Sequence, residues 1–295
     1  MLTERERVET YWNTAHAVPD HGNFLNHPLV AAYMSMRATG AVVNHLDVVV
    51  AEIRDRTSPG ARVLSPGCGP GDKEMALARA LPDRHIVGFD IAERALDIGR
   101  EAAARAGLRN LEFQQADFNR LQLDRASFDV IAGLGAFHHI ENLEGFWAEC
   151  RRALRKRGVI LGQEYVGPNR FQWTDAQVEH GDRVLRDLVP DSHKVHHARI
   201  ERVSIATMLE LDPSEAVRSS ELLPTLRDAG FEMFGVVSGG AALLQPVLMY
   251  QVHTFDPRNW QHNRVLAQLF AEEDRLMRER VLDDDFVMFA TRPLA

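Results

Sequence analysis

Short apolar runs alternate with helix-like stretches along the middle of the chain. The apolar runs lie at residues 61–64, 85–89, 111–116, 127–132 and 159–164. Before the last of these runs, residues 143–156 carry a helical pattern, and Gly158 follows as a candidate C-cap. Strands that alternate with helices are typical of an α/β protein with a largely parallel sheet.

Helical patterns also lie before the first run and between the later ones. They occupy residues 4–12, 28–38, 41–56, 174–188 and 221–229, and further helical periodicity extends over 241–282. Two late strands are predicted, at 231–238 and 286–290. The chain therefore divides into an N-terminal helical leader or lid, a cofactor-binding core, a cap insertion, a continuation of the core, a helical insertion and a last core strand. The boundaries are 1–57, 58–165, 166–220, 221–238, 239–283 and 284–295.

The first apolar run leads into three glycines at alternate positions, Gly67, Gly69 and Gly71. Glycine suits a turn with positive φ and a place where a ligand approaches the backbone closely. A strand, a glycine-rich turn and a helix in this order predict a nucleotide-binding site.

Acidic residues follow the next two runs. Asp90 ends the second run, where a carboxylate could accept both hydroxyl groups of a ribose. Asp117 ends the third run and could meet the amino group of adenine, and Phe118 could pack on the base. The glycine turn and Asp90 fit NAD and S-adenosylmethionine equally. The later segments, from Asp117 to the strand at 159–164, favour S-adenosylmethionine.

Taken in order, these segments resemble the motifs of the class I S-adenosylmethionine-dependent methyltransferases, at 63–71, Asp90, Asp117 and 128–140. The chain is more narrowly similar to the small-molecule branch labelled methyltransferase type 11 or 12. The segments at 164–174 and 212–218 look like bacterial members encoded beside glycan or secondary-metabolite genes. The resemblance implies a doubly wound Rossmann-like sheet, mostly parallel with an antiparallel last strand, plus a helical leader and helical cap insertions.

The resemblance also implies a set of cofactor-binding residues. They are Ser65, Gly67, Cys68, Gly69, Gly71, Asp90, Ile91, Asp117, Phe118 and Gly133. The family usually has an acid at the position of Ser65, so a hydrogen bond toward the methionyl ammonium is expected to be weaker here. We therefore expect this departure to weaken the binding of the cofactor and to leave the fold unchanged.

Candidate catalytic residues follow the fourth and fifth strands. His138 and His139 lie after the fourth, and histidine has the side-chain pKa best suited to proton removal near neutrality. His138 is the preferred general base, with ordering of the loop by the two histidines as the alternative. Glu164 ends the fifth strand and points toward the same crevice.

Candidate acceptor-binding residues are Tyr11, Tyr165, Arg170 and Trp173. Arg170 could pair with an anionic group, and Trp173 could stack on a sugar or ring. The alternative is an internal Glu164–Arg170 pair that anchors the cap. Tyr11 lies in residues 11–27, which could fold over the cofactor as a lid or pack against the sheet.

Composition excludes several classes of protein. The 295 residues carry 42 acidic and 34 basic side chains, a net charge of -8, which argues against nucleic acid as a partner. Only two cysteines are present, so a reducing, cytoplasmic environment is expected. No apolar run approaches the ~20 residues of a membrane span, and the N-terminus lacks the apolar stretch of a secretion signal.

The expected activity is methyl transfer to a small-molecule acceptor, with oxygen of a sugar-like or natural-product-like metabolite favoured over carbon or nitrogen. The alternatives are a cofactor-binding scaffold without methyl transfer and an NAD-dependent oxidoreductase. A homodimer is possible. No metal is expected, because His193 and His197 lack the partners of a zinc motif.

Overall fold

The computed structural model describes residues 3–15 and 23–294. The strands of this part of the chain are β1 (Arg62–Pro66), β2 (His85–Asp90), β3 (Leu111–Gln115), β4 (Phe128–Leu134), β5 (Leu154–Tyr165), β6 (Phe231–Gly240) and β7 (Phe286–Pro293). The helices are α1 (Glu4–Ala15), α2 (Pro28–Thr39), α3 (His45–Arg56), α4 (Asp72–Ala80), α5 (Glu93–Arg105), α6 (Leu143–Ala153), α7 (Asp175–Asp187), α8 (Ile205–Leu211), α9 (Leu222–Asp228), α10 (Leu244–Leu248) and α11 (Trp260–Arg278).

All seven strands form one sheet in the order β3-β2-β1-β4-β5-β7-β6. Strands β1 to β5 pair in parallel, and β7 lies antiparallel between β5 and β6. The strand order reverses between β1 and β4, which is where open α/β sheets bind ligands beyond the carboxyl ends of the strands. The prediction of a doubly wound sheet with an antiparallel last strand is confirmed.

Helices cover both faces of the sheet. On one face, buried side chains of α3 and α4 pack on β1, β2 and β4, with Ile53 and Leu77 fully buried. On the other face, α6 and α9 pack on the sheet around Trp147 and Leu226. The apolar strands are therefore buried on both faces, as expected for parallel strands.

A separate hydrophobic core lies in the cap. It joins residues of α2, α7, α10 and α11, including Val30, Leu185, Val247 and Leu269. The cap insertion and the later helical insertion, which the sequence pattern treats as separate segments, thus share one core with part of the leader. The six segment boundaries remain predictions.

The helix predicted at residues 143–156 is shorter than expected. Helix α6 ends at Ala153, and β5 begins at Leu154, which pairs with Phe128 of β4. Gly158 lies inside β5 and is not a helix C-cap, so that prediction is wrong. A Cβ there would lie 3.0 Å from the carbonyl oxygen of Arg155, so glycine permits a close passage of the backbone.

The predicted lid at residues 11–27 is described only in part, because 16–22 lie outside the described residues. Helix α1 contains Tyr11 and contacts α5, where the amide of Arg94 donates to Asn13 Oδ1 at 3.1 Å. None of the helices in the described ranges has the length and apolar character needed to cross a membrane.

Candidate active site

The glycine turn between β1 and α4 forms one wall of a cavity at the carboxyl ends of the strands. Gly67 has a φ of 68°, and a Cβ there would lie 2.5 Å from the Cβ of Ala136, which follows β4. The amide of Gly69 donates to Asp90 Oδ2 at 2.8 Å. The turn is therefore held between the loop after β4 and the end of β2.

Three of the predicted cofactor residues, Ser65, Gly71 and Gly133, lie behind this wall and do not line the cavity. A Cβ on Gly71 would lie 2.3 Å from the ring of Phe113, and one on Gly133 would lie 2.2 Å from the ring of Phe137. These two glycines permit close packing within the core. Direct contact of the three residues with a cofactor stays a prediction that their placement does not favour.

Asp90 and Asp117 both line the cavity. Asp90 is buried, and its Oδ1 accepts from the amide of Ala92 at 2.9 Å. Asp117 Oδ1 accepts from the amide of Asn119 at 3.0 Å, and its Oδ2 lies 3.6 Å from Arg5 Nε of α1. A carboxylate oxygen has two lone pairs, so both acids can accept further hydrogen bonds from a ligand.

The cavity has a volume of about 310 Å³, which is at the small end of the range for ligand pockets. Of the residues predicted from the sequence, it is lined by Gly67, Cys68, Gly69, Asp90, Ile91, Asp117, Phe118 and His139. The sequence analysis missed the other lining residues, which are Arg5, Val8, Trp12, Pro70, Asn119, Arg120, Gly135, Ala136, Glu141, Pro213, Ser214 and Val217. Most of these lie on α1 or on loops without a recognisable motif.

Glu164, at the end of β5, shapes the turn that carries the two histidines. It is fully buried, and its Oε1 accepts from the amides of Ala136 and Phe137, each at 2.9 Å. Its Oε2 lies 2.8 Å from His138 Nδ1. Burial opposes ionisation, but these hydrogen bonds and the charge of His138 outweigh it and lower the pKa of Glu164. Glu164 therefore holds the histidine turn in place and does not line the cavity, and its catalytic role stays a prediction that this placement does not favour.

Ser214 determines the tautomer of His139. The Ser214 hydroxyl donates to Asp212 Oδ1 at 2.8 Å and accepts from the indole N–H of Trp12 at 3.1 Å. His139 Nδ1 lies 3.2 Å from the same oxygen. Because the hydroxyl proton is directed to the Asp212 carboxylate, we assign the ring proton to Nδ1, which leaves Nε2 with a lone pair. Burial and the adjacent His138 lower the pKa of His139. Its ring is thus neutral at pH 7 and able to accept a proton.

His138 lies behind His139 and does not line the cavity, so the placement favours His139 as the base. His138 Nε2 lies 3.6 Å from Glu215 Oε1, and burial raises the pKa of Glu215. Within the described ranges, three side chains could together hold a metal ion, those of His138, His139 and Glu215. Each offers one ligand atom, and these three atoms lie within 4.8 Å of one another. The expectation that no metal is needed stays a prediction.

The predicted acceptor residues Tyr11, Tyr165, Arg170 and Trp173 do not line this cavity. The Tyr165 hydroxyl donates to the carbonyl oxygen of Pro168 at 3.1 Å, and Trp173 is buried. Their roles in acceptor binding stay predictions without support from this geometry.

Arg170 has a different partner from the one considered above. Its Nη1 donates to the carbonyl oxygen of Pro213 at 2.6 Å, so it supports the loop that carries Ser214. In the described structure no ion pair joins it to Glu164, which bonds to His138 and to the turn instead. Arg170 therefore acts on the cavity wall from behind.

His193 and His197, which were considered for a metal site, bond to different side chains. His193 Nδ1 lies 2.9 Å from Thr254 Oγ1, and His197 Nε2 lies 3.1 Å from the amide nitrogen of Gln251. Among the described residues, they are not part of a group that could hold a metal ion.

A family profile described as a methyltransferase domain matches residues 57–230. The chain belongs to this methyltransferase domain family. The resemblance to class I S-adenosylmethionine-dependent methyltransferases is thereby confirmed. The match includes the glycine turn, Asp90, Asp117 and the histidine turn, and it ends just before β6.

Curated relatives of this methyltransferase domain protein include sterol and quinone enzymes. A sterol 24-C-methyltransferase of Gibberella zeae is 32% identical over 142 residues, which are 47% of this chain and 37% of that enzyme. A demethylmenaquinone methyltransferase of Listeria welshimeri is 25% identical over 190 residues, which are 63% of this chain and 78% of that enzyme. The chain spans less than half the length of the sterol methyltransferases that it matches.

Solved structures share the fold over nearly the whole chain. Geranyl diphosphate C-methyltransferase from Streptomyces coelicolor A3(2) is 11% identical with a TM-score of 0.56, covering 99% of this chain and 98% of that one. The [4+2]-cyclase SpnF is 18% identical with a TM-score of 0.54, covering 100% of this chain and 98% of that one. At this identity the likeness concerns the fold alone.

Proposed function

We propose that this protein binds S-adenosylmethionine in the cavity and transfers its methyl group to a small-molecule acceptor. The observation that carries the proposal is that Asp90 and Asp117 line the same cavity as the turn at Gly67 and Gly69. The carboxylates suit the ribose hydroxyls and the adenine amino group, and Ile91 and Phe118 supply apolar surface. The cofactor would supply an electrophilic methyl group on a sulfonium, which leaves as a neutral thioether.

His139 is the group best placed to take up the proton that methyl transfer releases. When a methyl group replaces hydrogen on an acceptor, the acceptor loses one proton and the sulfonium charge is neutralised. His139 lines the cavity, is held by Ser214 with its Nε2 unprotonated, and has a lowered pKa. Positioning of the acceptor against this ring is expected to supply most of the remaining rate enhancement.

Carbon is the favoured methylated atom. The support is the set of curated relatives, which includes sterol C-methyltransferases and demethylmenaquinone methyltransferases. A hydroxyl oxygen is the second candidate, because the wall around His139 carries polar side chains such as Ser214 and Glu141 that could bind a hydroxylated molecule. Both reactions release a proton, so both use His139.

The test uses purified full-length protein and S-adenosylmethionine labelled in its methyl group. It is incubated with two acceptor panels, one of polyprenyl alkenes and quinols and one of phenols and glycosides. The expected result is a labelled product whose NMR signal is that of a carbon-bound methyl group. An oxygen-bound methyl group would support the second candidate.

Two further outcomes correspond to the alternatives from the sequence. Binding of S-adenosylhomocysteine by calorimetry without any labelled product would favour a cofactor-binding scaffold. Binding of NADH instead would favour an oxidoreductase. The cytoplasmic location and the homodimer remain predictions, and light scattering on the purified protein tests the second.

A further inference from the structure

The strand position at which related methyltransferases usually have an acid is occupied by Ser65. Ser65 lies at the end of β1 and is 1% exposed. Its hydroxyl donates to Oε1 of Glu74 at 2.6 Å. Glu74 belongs to α4, on the other side of the glycine turn, and is 2% exposed. A buried carboxylate therefore lies directly behind the serine.

The second oxygen of this carboxylate is not satisfied. Glu74 Oε2 is buried and has no hydrogen-bond partner among the described residues. Burial raises the pKa of Glu74 to about 7, against the opposing effects of the Ser65 hydroxyl and the Lys73 charge. Buried polar atoms are almost always hydrogen-bonded in folded proteins, so an unpaired carboxylate oxygen points to a missing partner.

A cation is the partner that this carboxylate fits best. Lys73 is next to Glu74 in the chain, but its ammonium donates to the carbonyl oxygen of Leu134. In the described structure, no ion pair joins Glu74 to a basic side chain. Burial raises the pKa of Glu74, and a positive ligand group nearby would favour the ionised form of this carboxyl group.

We propose that Glu74, held by Ser65, supplies the carboxylate that β1 lacks and binds the methionyl ammonium of S-adenosylmethionine through one bridging water. The inference rests on the proposed function, since it needs the cofactor in this cavity. The link runs through water because neither Ser65 nor Glu74 lines the cavity directly. Glu74 lies in the first turn of α4, the helix that follows the glycine turn.

A purely structural role makes a different prediction. If Glu74 only joined α4 to β1, its replacement would affect every ligand of the cavity alike. If it attracts the ammonium, its replacement would affect only ligands that carry the amino-acid portion. S-Adenosylhomocysteine has that portion, and 5′-methylthioadenosine has the same adenosine and sulfur without it.

The experiment is calorimetric titration of both ligands into four proteins: wild type, Glu74→Gln, the double variant Ser65→Asp/Glu74→Gln, and Glu101→Gln. The last is a matched control, because Glu101 is an exposed acid on α5. We expect Glu74→Gln to weaken S-adenosylhomocysteine about tenfold, the lower end for a hydrogen bond to a charged group. The affinity of the Glu74→Gln variant for methylthioadenosine should stay within about twofold of wild type. This result would also show that the variant is folded.

The double variant restores a carboxylate on the strand and should recover S-adenosylhomocysteine affinity to within about threefold of wild type. Ser65→Ala offers a milder variant, with an expected loss of a few-fold for S-adenosylhomocysteine alone. Equal weakening of both ligands by Glu74→Gln, or no weakening of either, would overturn the role of Glu74. Failure of wild type to bind either ligand would instead overturn the proposed function.

Discussion

The two halves of the cavity are built in different ways. The half that we propose to hold the cofactor, called the cofactor half, uses loops that directly follow β1, β2 and β3, so its residues are close in the sequence and in space. The half that we propose to hold the acceptor, called the acceptor half, joins α1, the turn after β4 and the loop at residues 212–217, and its hydrogen bond between Trp12 and Ser214 spans 202 residues. A cofactor site can therefore be recognised from local motifs, whereas an acceptor site exists only after the chain has folded.

The halves also differ in how their polar groups are held. In the cofactor half, Asp90 and Asp117 accept hydrogen bonds from backbone amides, which fix the orientation of the two carboxylates. In the acceptor half, His139, Ser214 and Asp212 bond to one another through side chains. We expect mutations in the first half to change cofactor affinity and mutations in the second to change turnover and its pH dependence.

The largest expected effect comes from His139→Ala. Turnover should fall by about a hundredfold or more, since a general base contributes roughly 10²–10⁴ in rate. Affinity for S-adenosylhomocysteine should stay within about twofold of wild type, because the cofactor half is untouched. Single-turnover kinetics and calorimetry measure the two quantities. His138→Ala is the matched comparison, and a larger loss of turnover there would return the role of base to His138.

The pKa of His139 determines the expected direction of the pH dependence of turnover. Burial and His138 lower the pKa of His139 below its usual 6.5, so the base is neutral and active at pH 7. As the pH falls through this lowered pKa, the ring becomes protonated and turnover declines. Glu215, Asp212 and Glu164 act in the opposite direction without reversing the shift. A profile of turnover with an acid limb centred above pH 6.5 would contradict the assignment.

Asp90→Ala should have the next largest effect, on binding instead of turnover. It removes an acceptor for two ribose hydroxyls, and we expect S-adenosylhomocysteine affinity to fall about a hundredfold. Because the two oxygens of Asp90 also accept the amides of Gly69 and Ala92, Asp90→Asn serves as a milder variant, which keeps the size of the side chain and one of these two bonds. Calorimetry on both variants is the measurement. Wild-type affinity in Asp90→Ala would remove the ribose assignment.

Most of the fold and the cofactor half could be predicted from the sequence because their signals are local. The strand-turn-helix around Gly67 and the acids at the ends of β2 and β3 are each visible within a few residues. The end of α6 could not be predicted, because pairing of Leu154 with Phe128 overrides a helical pattern. Trp12 and Ser214 carry no motif, and their role follows only from a contact across the folded chain.

Trp12→Phe probes the acceptor half with a smaller effect. It keeps an aromatic ring beside His139, where the two rings meet edge to face with centroids 5.1 Å apart. It removes the indole N–H that donates to Ser214. We expect KM for the acceptor to rise about three- to tenfold, the contribution of one neutral hydrogen bond, with cofactor affinity unchanged. An equal loss of cofactor affinity would mean that the halves are coupled.

The smallest expected effect is that of removing metal ions. Dialysis against a chelator should leave turnover and S-adenosylhomocysteine affinity unchanged, because no metal is expected to take part in the reaction. The group formed by His138, His139 and Glu215 makes this a strict test, since its ligand atoms are close enough to hold an ion. If turnover fell and Zn²⁺ or Mg²⁺ restored it, His139 would be a metal ligand instead of a base. The added metal ion would then fail to restore the turnover of the Glu215→Gln variant. The two halves would differ in that the acceptor half binds a metal ion.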